Sequence, residues 1–423
     1  MPRSANQIIV EYNKGRVPEV LVQKYKMMAG SAFRFYRGTC HLFYFDLLNS
    51  GVTFPDSTQT WLCGDLHLEN FGVYKGNNGL VYFDVNDFDE STLSPCSYDL
   101  IRFITSLYLS TETFGLSPQK VNNLAYFFIE EFGRILSSGK EREIEEPFAT
   151  GLIQSYFKQI ESRTKKDFLK LWVEEKNGKF RLKKSNPRTL PIKEDLKKEL
   201  FGVVHEFLSK DIPTIKIVKS GTGSLNAKKK STEKIKKSKK NIVPLDVAFR
   251  LAGTGSLGLN RYVVLVEMEG KLKLIDVKEA QFPSLNLYKK IEVKWPDNSN
   301  RICSIQTMMQ STPPSLLGTK MFKNKHYVIR ELQPEQDKLN LLEIKSDKLK
   351  IEEIIRDMAQ IAASAFIRSS GWKSSSTIDD LQLFASKTDW QKPIINYAKK
   401  YSIQVQKDYV AFKKDFDAGK IIG

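Results

Sequence analysis

Carboxylate and amide side chains are dense between residues 61 and 91, in the stretch WLCGDLHLENFGVYKGNNGLVYFDVNDFDES. The remainder of this stretch is apolar enough to form buried strands, where an ionised carboxylate is costly unless it is paired or bound to a cation. Asp65 and Asn70 have the spacing at which one tight loop turns a carboxylate and a metal-binding amide toward the same phosphate. We expect Asp65 to orient or deprotonate an acceptor hydroxyl and Asn70 to hold a metal ion.

The segment NDFDE, at the end of the next predicted strand, supplies Asp87 and Asp89 as further metal ligands. Oxygen ligands of this kind suit Mg²⁺, which binds proteins through one or two carboxylates together with substrate phosphates. The cluster therefore predicts a bound Mg²⁺–ATP. We expect His67 to be structural, because Asp65 already fills the position of the base.

A second motif is the glycine-rich sequence LAGTGSLGLN. Its spelling also fits a dinucleotide-binding turn, with Asp276 near the position of a ribose-binding acid, but such a turn opens a helix and here a β-branched strand, RYVVLVEM, follows. The context instead favours a loop whose backbone N–H groups cover phosphates, with Lys278 of LIDVKEA gripping the α- and β-phosphates. An ordinary edge-strand lysine is the alternative for Lys278. The loop residues predicted to contact nucleotide are Gly253, Thr254, Gly255, Ser256 and Gly258.

The elements that must position these residues follow from hydrophobic periodicity. Helical patterns precede and follow the acidic segment, which itself reads as strand, loop, strand, GNNG turn and strand. A charged, mostly helical region is expected up to about residue 210, and strands dominate from Pro244. The last strong helix is KLKIEEIIRDMAQIAASAFIRSSG. The helix RICSIQTMMQ, expected to face Lys278, carries Gln306 and Gln310 and supplies no acidic partner.

Composition sets the class of protein. The chain of 423 residues is 41% hydrophobic, which is ample for a folded protein of two or three domains, and no signal sequence or membrane span is indicated, so we expect a cytoplasmic protein. Its four cysteines form no C-x-x-C pair. The formal charge is +17, but residues 216–240 hold ten Lys and one Glu, which leaves 17 − 9 = +8 elsewhere. These residues are a solvated linker or a docking site for an acidic partner.

The motifs GDLHLEN, VNDFDE and SYDL resemble the signature of the aminoglycoside and choline phosphotransferases. This resemblance makes Asp87, rather than Asp84, the metal-binding carboxylate, because its interval to Asp99 matches the family pattern. Together with FRFYRGT, LAGTGSLGLNRYVVL and VKEA, the motifs are similar to an uncharacterised bacterial domain-of-unknown-function family of the protein-kinase-like superfamily. The resemblance covers about residues 30–110 and 245–370.

The order of the motifs is inverted relative to kinase-like enzymes, in which the glycine-rich loop comes first. The resemblance therefore implies a circularly permuted, two-lobed α+β fold, with HYVIRELQP as the last strand and hinge and with backbone groups near Glu331 and Gln333 against adenine. The expected divisions are a helical catalytic lobe at 1–215, a Lys-rich linker at 216–243, a β-rich lobe at 244–345 and C-terminal helices at 346–423.

The function expected on these grounds is ATP-dependent transfer of the γ-phosphate to an unidentified hydroxyl, with ATP and Mg²⁺ as cofactors. Two other nucleotide-binding functions stay open: a pseudokinase that acts as a scaffold, and transfer of AMP. A basic nucleic-acid-binding protein is a further alternative, although the Lys-rich residues have no interleaved aromatic side chains for stacking bases.

Overall fold

The computed structural model describes residues 3–55, 58–144, 149–162, 165–210, 241–292, 294–333 and 340–421. The predicted linker at 216–243 lies outside the described residues except for its last three positions, and so does the predicted boundary at residue 215. The structure is a mixture of helices and antiparallel strands, as the α+β prediction requires.

The N-terminal part consists of four helices, α1 (Ala5–Tyr12), α2 (Pro18–Met28), α3 (Ala32–Gly38) and α4 (Cys40–Leu48). Pro18 occupies the first turn of α2, where its missing N–H costs nothing. Ser31 caps α3 by accepting the Arg34 N–H. The helical pattern after Gly30 is two helices, because Thr39 between them has φ −126° and ψ 42°.

Two small antiparallel sheets carry the acidic segment. Strand β1 (Gln59–Leu62) pairs with β4 (Thr92–Pro95), and β2 (Phe71–Lys75) pairs with β3 (Val81–Val85). A short 3-10 turn at Leu68–Asn70 leads into β2. The loops after β1 and after β3 leave different sheets, and hydrogen bonds of Asn70 to the backbone of Asp65 and Asp87 bring the two acidic segments together.

A layer of helices packs behind these sheets. The next helices along the chain are α5 (Ser97–Tyr108), α6 (Thr111–Phe114), α7 (Pro118–Ser138), α8 (Gly151–Ser162) and α9 (Lys165–Trp172). The long α7 begins at the Ser117 cap and ends at Gly139, whose φ of 62° is left-handed, as its sequence predicts. One large core joins α5–α8 to α1–α4 and to the C-terminal helices, whereas Trp172 of α9 belongs to a separate cluster with strand residues such as Val263 and Leu265.

The region expected to be helical up to residue 210 departs from that prediction. Strands β5 (Val173–Lys176) and β6 (Lys179–Leu182) form a hairpin, and β7 (Thr189–Leu190) precedes helix α10 (Glu194–Ser209). The hairpin turns at Asn177 and Gly178, both with positive φ, and Asn-Gly is a strong signal for such a turn. Helix α10 and β7 pack on the β-rich part, not on the helical lobe to which 1–215 was assigned.

The β-rich part is one six-stranded antiparallel sheet in the order β11-β12-β10-β9-β8-β7. Its longer strands are β8 (Ile242–Arg250), β9 (Arg261–Met268), β10 (Lys271–Glu279), β11 (Gly318–Phe322) and β12 (Lys325–Glu331). The glycine-rich sequence joins β8 to β9, and the predicted turn at Glu269 and Gly270 joins β9 to β10. Strands β8, β9, β10 and β12 follow the order that the sequence predicts, whereas the edge strands β7 and β11 were not predicted.

Helix α11 (Asn298–Met309) lies between the sheet and the helical core, and α12 (Lys348–Arg368), α13 (Ile378–Ser386) and α14 (Gln391–Asp417) complete that core. Beyond α12 the chain reaches β1: the Trp61 indole N–H donates to the Trp372 carbonyl at 2.8 Å, and the Ser376 N–H donates to the Gln59 carbonyl at 2.8 Å. In the ranges that the structure describes, no helix is long and apolar enough to cross a membrane.

Candidate active site

A cleft between the helical core and the six-stranded sheet collects the predicted functional residues. Its cavity volume is about 150 Å³. The predicted residues that line it are Asp65, Asn70, Asp87, Asp89, Gly253, Thr254, Gly255, Ser256, Lys278 and Gln333. Gly258 lines a neighbouring cavity instead, and Glu331 lines neither of the two.

The loop that carries Asp65 is held by Asp99 in the first turn of α5. The two carboxylate oxygens of Asp99 accept the N–H groups of Cys63 and Gly64 at 3.0 and 3.1 Å. Burial raises the pKa of Asp99 to about 6, against these hydrogen bonds, which favour its charged form. Gly64 has φ 81°, and a Cβ there would lie 1.9 Å from the Glu90 carbonyl oxygen, so only glycine fits.

Asp65 itself forms an ion pair with Arg102, which lies one turn after Asp99 on α5. Arg102 is fully buried, and its guanidinium also lies 4.3 Å from the ring centroid of Tyr36. Burial raises the pKa of Asp65, whereas Arg102 opposes that rise. Arg102 therefore fixes the direction of the Asp65 carboxylate and favours its ionised form.

His67 follows Asp65 in the same loop and has contacts that fix the loop. Its Nδ1 accepts the Glu69 N–H at 3.1 Å, and its Nε2 lies 3.3 Å from Arg37 Nε and 4.0 Å from Asp65 Oδ2. Arg37 in turn pairs with Glu69. These contacts agree with a positioning role for the imidazole.

The amide of Asn70 ties the two acidic loops together. Its Nδ2 donates to the backbone carbonyls of Asp65 and Asp87 at 3.1 and 3.2 Å, and its Oδ1 accepts the Asp87 N–H at 2.7 Å. A carbonyl oxygen has a second lone pair, so Oδ1 retains capacity for a cation. The spacing between Asp65 and Asn70 thus produces a loop whose ends are joined by one side chain.

Lys278 reaches these loops from the sheet. It is buried on β10, forms an ion pair with Asp89, and lies 3.8 Å from Asp87 Oδ1. Asp89 is therefore the acidic partner that α11 does not supply, since Gln306 of α11 donates to Gln310, the residue that follows this helix. Asp87 is 59% exposed and faces the cleft.

Asp84 has a different environment. Its carboxylate is buried, lies 3.0 Å from the Arg368 guanidinium, and accepts the N–H groups of Ser311 and Val85 at 3.0 and 2.8 Å. Asp84 is absent from the residues that line the cleft. Asp84 is therefore engaged by Arg368 inside the protein, whereas Asp87 faces the cleft, and the metal role of Asp87 stays a prediction.

The glycine-rich loop is held from behind by the N-terminal helices. Arg16 donates to the carbonyls of Gly255 and Leu257 at 2.9 and 2.6 Å, and buried Lys24 donates to the Gly255 carbonyl at 3.1 Å. Gly258 has φ 89°, and a Cβ there would lie 2.8 Å from the Cβ of Arg16. Burial lowers the pKa of Lys24 well below its ordinary value. No sequence motif pointed to either basic residue.

Arginines surround Asp276 at the sheet side of the cleft. Arg250 and Arg261 contact its carboxylate at 2.6–2.9 Å, and Arg330 lies 3.9 Å away. Although burial acts in the opposite direction, these guanidinium groups hold the pKa of Asp276 well below its ordinary value. With its oxygens engaged and a strand after the glycines, Asp276 does not match a ribose-binding acid.

The side chains of the expected hinge residues differ in direction, because successive side chains of a strand point to opposite faces of the sheet. The side chain of Glu331, at the end of β12, pairs with Lys273 at 2.8 Å, whereas its neighbours Arg330 and Leu332 line the cleft with Gln333. The Leu332 N–H already donates to the Leu274 carbonyl at 2.8 Å. The Glu331 side chain therefore does not line the cleft, and the contact of the backbone near Glu331 with adenine stays a prediction.

Donor chemistry permits a divalent cation near Asn70 and Asp87. Both offer hard oxygen atoms, which Mg²⁺ prefers, and both face the cleft. Across the described ranges, no three His, Cys, Asp or Glu side chains converge in a way that would hold a metal on their own. A cation at this position would take its remaining oxygen ligands from water or from a bound molecule.

Comparison with known proteins gives one family and no closer relative. No match was found among curated proteins or among solved structures. The family described as "Uncharacterized protein conserved in bacteria (DUF2252)" matches residues 16–415, which include both acidic loops, the glycine-rich loop and Lys278. The chain therefore belongs to the DUF2252 family of bacterial proteins.

Proposed function

We propose that this protein is an ATP-dependent phosphotransferase with a circularly permuted kinase-like fold. The observation that carries the proposal is the contact of Lys278 with Asp89 and Asp87 in a cleft that Asp65 and the glycine-rich loop also line. A strand lysine, a phosphate-covering loop and two acidic loops are the parts that phosphoryl transfer requires.

The permutation is supported by the contacts beyond α12. In an unpermuted kinase-like chain, the helix equivalent to α12 would lead directly into the catalytic segment. Here the residues after α12 bond to β1, through Trp372 to Trp61 and through Ser376 to Gln59. The end of α12 therefore lies beside the loop that carries Asp65, although α12 comes almost 300 residues later in the chain.

In the proposed complex, Lys278 neutralises phosphate oxygens and the glycine-rich loop covers them. The adenine lies against the chain at Leu332 and Gln333, which line the cleft next to the sheet. Small-molecule sites occupy roughly 300–1,000 Å³, more than the cleft volume of about 150 Å³. Nucleotide binding therefore requires the sheet and the helical core to separate and the contact of Lys278 with Asp89 to open.

The chemical step assigns one task to each side chain. The acceptor oxygen attacks the γ-phosphorus, the bond to the bridging oxygen breaks, and ADP leaves with that electron pair. Asp65 orients the acceptor hydroxyl and receives its proton, while Arg102 and Asp99 hold Asp65 and its loop in place. Asn70 and Asp87 would hold Mg²⁺, which when bound neutralises charge on the phosphate oxygens.

A nucleotide-binding scaffold is the second candidate, and a specific contact favours it. Arg102 engages Asp65 directly and stabilises its charged form, which weakens it as a proton acceptor. Under this alternative the cleft binds ATP, but the Asp65 carboxylate serves the structure rather than transfer. The two candidates agree on nucleotide binding and differ on turnover.

The test uses ATP labelled separately at the γ- and α-phosphates, incubated with Mg²⁺, the protein and a bacterial metabolite extract. Asp65→Asn preserves the shape and removes the acceptor of the proton, so transfer of the γ-label should fall by at least a hundredfold while ATP affinity changes little. Asp379→Asn, at an exposed position in α13, is the control and should match the wild type.

Each other outcome contradicts the proposal in a different way. ATP binding without any labelled product would favour the scaffold. Equal γ-labelled product from the Asp65→Asn variant would reject Asp65 as the proton acceptor. Product labelled only from α-labelled ATP would indicate AMP transfer. Absence of ATP binding to the folded protein would reject the nucleotide site altogether.

A further inference from the structure

A second cavity, of about 1,040 Å³, lies beside the cleft and has no role in the function proposed above. It is open to solvent on one side and is lined by α1, α4 and the residues that follow β10. Tyr12, Arg16, Gln281 and Phe282 line both the second cavity and the cleft, so the two spaces adjoin. Its volume is at the upper end of the range for small-molecule sites, roughly 300–1,000 Å³.

Aromatic and aliphatic side chains form one part of the wall of the second cavity, beside charged and amide side chains. Phe45 of α4 and Tyr288 pack edge to face, with ring centroids 5.4 Å apart and an interplanar angle of 70°. Phe282 and Leu287, which also line it, are 66% and 56% exposed. Large apolar side chains left exposed around a concave space favour a ligand with an apolar body.

The carboxylates of this cavity are already neutralised. Glu11 pairs with Lys14, and Glu279 pairs with Lys325 at 2.9 Å. Glu279 also accepts from the Gln281 amide at 2.7 Å. Since both acids have cationic partners within the protein, an ammonium group of a ligand would have to compete with those partners for the carboxylates. A polycationic occupant is therefore disfavoured on electrostatic grounds.

Polar groups concentrate where the two cavities meet. His41, which lines the cleft, is fully buried and stacks on Tyr12 with centroids 3.8 Å apart. Within the part of the chain that the structure describes, neither ring nitrogen of His41 has a hydrogen-bond partner. The Tyr12 hydroxyl lies 3.3 Å from Ser284 Oγ. Buried ring nitrogens without partners are costly, which favours a polar group supplied by a ligand at this junction.

We propose that the second cavity binds the phosphate acceptor, and that the acceptor is an uncharged alcohol with an aromatic or aliphatic body. The body occupies the space between Phe45, Tyr288 and Leu287, and the hydroxyl lies at the junction near Tyr12 and His41. From there it enters the cleft that Asp65 lines. This inference rests on the proposed function, because an acceptor has meaning only for a transferase.

The experiment measures binding of naphthylethanol and of its cationic counterpart naphthylethylamine to the full chain by calorimetry, with ATP binding measured in parallel. We expect the alcohol to bind at least tenfold more tightly than the amine. Leu287→Ser should weaken alcohol binding at least fivefold and leave ATP affinity unchanged. Ile403→Ser is the matched control, because Ile403 is 55% exposed on α14, away from the cavity.

The outcomes separate this inference from the proposed function. If ATP binds but the alcohol does not, or if Leu287→Ser and Ile403→Ser affect the alcohol equally, the acceptor cavity is rejected and the nucleotide site stands. Tighter binding of naphthylethylamine than of naphthylethanol would reject an uncharged acceptor. If the alcohol binds at Leu287 but ATP does not bind, the proposed function fails and the acceptor role fails with it.

Discussion

Lys278 of β10 and Asp89 of the loop after β3 form an ion pair that joins the six-stranded sheet to the acidic loops. Asp87 lies at the edge of the same contact, 3.8 Å from Lys278. The ammonium group is thus held by carboxylates in the structure and is placed to exchange them for phosphate oxygens. This exchange is the physical basis of the proposed nucleotide site.

Lys278→Met should lower ATP affinity at least tenfold, because it keeps much of the buried side-chain volume and removes the charge that faces the phosphates. Calorimetric titration with Mg²⁺–ATP measures the change. Lys271→Met, at the exposed start of the same strand, is the control. Unchanged affinity in the Lys278 variant would remove this residue from the site.

Asp99→Asn should destabilise the loop that carries Asp65. The asparagine oxygen can accept only one of the two N–H groups of Cys63 and Gly64, and its NH₂ group would face the other donor. We expect a loss of about 1–3 kcal/mol in the free energy of unfolding, measured by urea denaturation, and a fall in turnover. Asp379→Asn should lose no more than a few tenths of a kcal/mol, and an equal loss in both variants would contradict the assigned role.

Arg102 and Asp65 should be strongly coupled, because removal of Asp65 leaves the buried Arg102 charge unpaired and removal of Arg102 leaves the partly buried Asp65 carboxylate unpaired. Arg102→Met alone should cost about 3–5 kcal/mol of unfolding free energy. Asp65→Asn combined with Arg102→Met should recover part of that loss, since no charge is then left alone. A double-mutant cycle measures the coupling, and strictly additive losses would show that the two side chains do not act as a pair.

Asp357 on α12 should make stability depend on pH. Burial raises its pKa from an ordinary value of 3.8 to about 7, so the folded state binds this proton more tightly than the unfolded state. Its contribution to stability is therefore present at acidic pH and is lost as pH rises from about 4 to about 7.

Asp357→Asn removes this titration. We expect the variant to be more stable than the wild type at pH 8, on the order of 1–2 kcal/mol after allowance for partial access of water, with a smaller difference at pH 4. Thermal unfolding at the two pH values measures the effect. A variant that is less stable than the wild type at pH 8 would show that the carboxylate has a stabilising partner when ionised.

Much of the fold was predictable from local patterns. Apolar periodicity and caps such as Ser117 and Gly139 predict α7, and the Glu269–Gly270 turn predicts the β9–β10 hairpin. The β5–β6 hairpin was missed because its strands are short and charged, although Asn177–Gly178 is a turn signal. In this stretch the Asn-Gly turn determined the structure, in spite of the helix propensity of the charged residues around it.

Only those residues of the candidate site that belong to sequence motifs were predictable. The spacing of Asp65 and Asn70 and the strand after Gly258 identify side chains that the fold brings to one cleft. Arg16 and Arg102 were missed because basic residues without a motif give no signal of what they contact across the fold. An arginine on the apolar face of α5, one turn after Asp99, was the available clue to Arg102.

A crystal structure of the protein with Mg²⁺ and a non-hydrolysable ATP analogue would test the proposed nucleotide site most directly. We predict one triphosphate in the cleft, with its α- and β-phosphates on Lys278, Mg²⁺ on Asn70 and Asp87, and the γ-phosphate directed toward Asp65. A nucleotide bound away from Lys278 and Asp87 would contradict the proposed nucleotide site. So would a cleft that the Lys278–Asp89 ion pair keeps closed at a saturating concentration of the analogue.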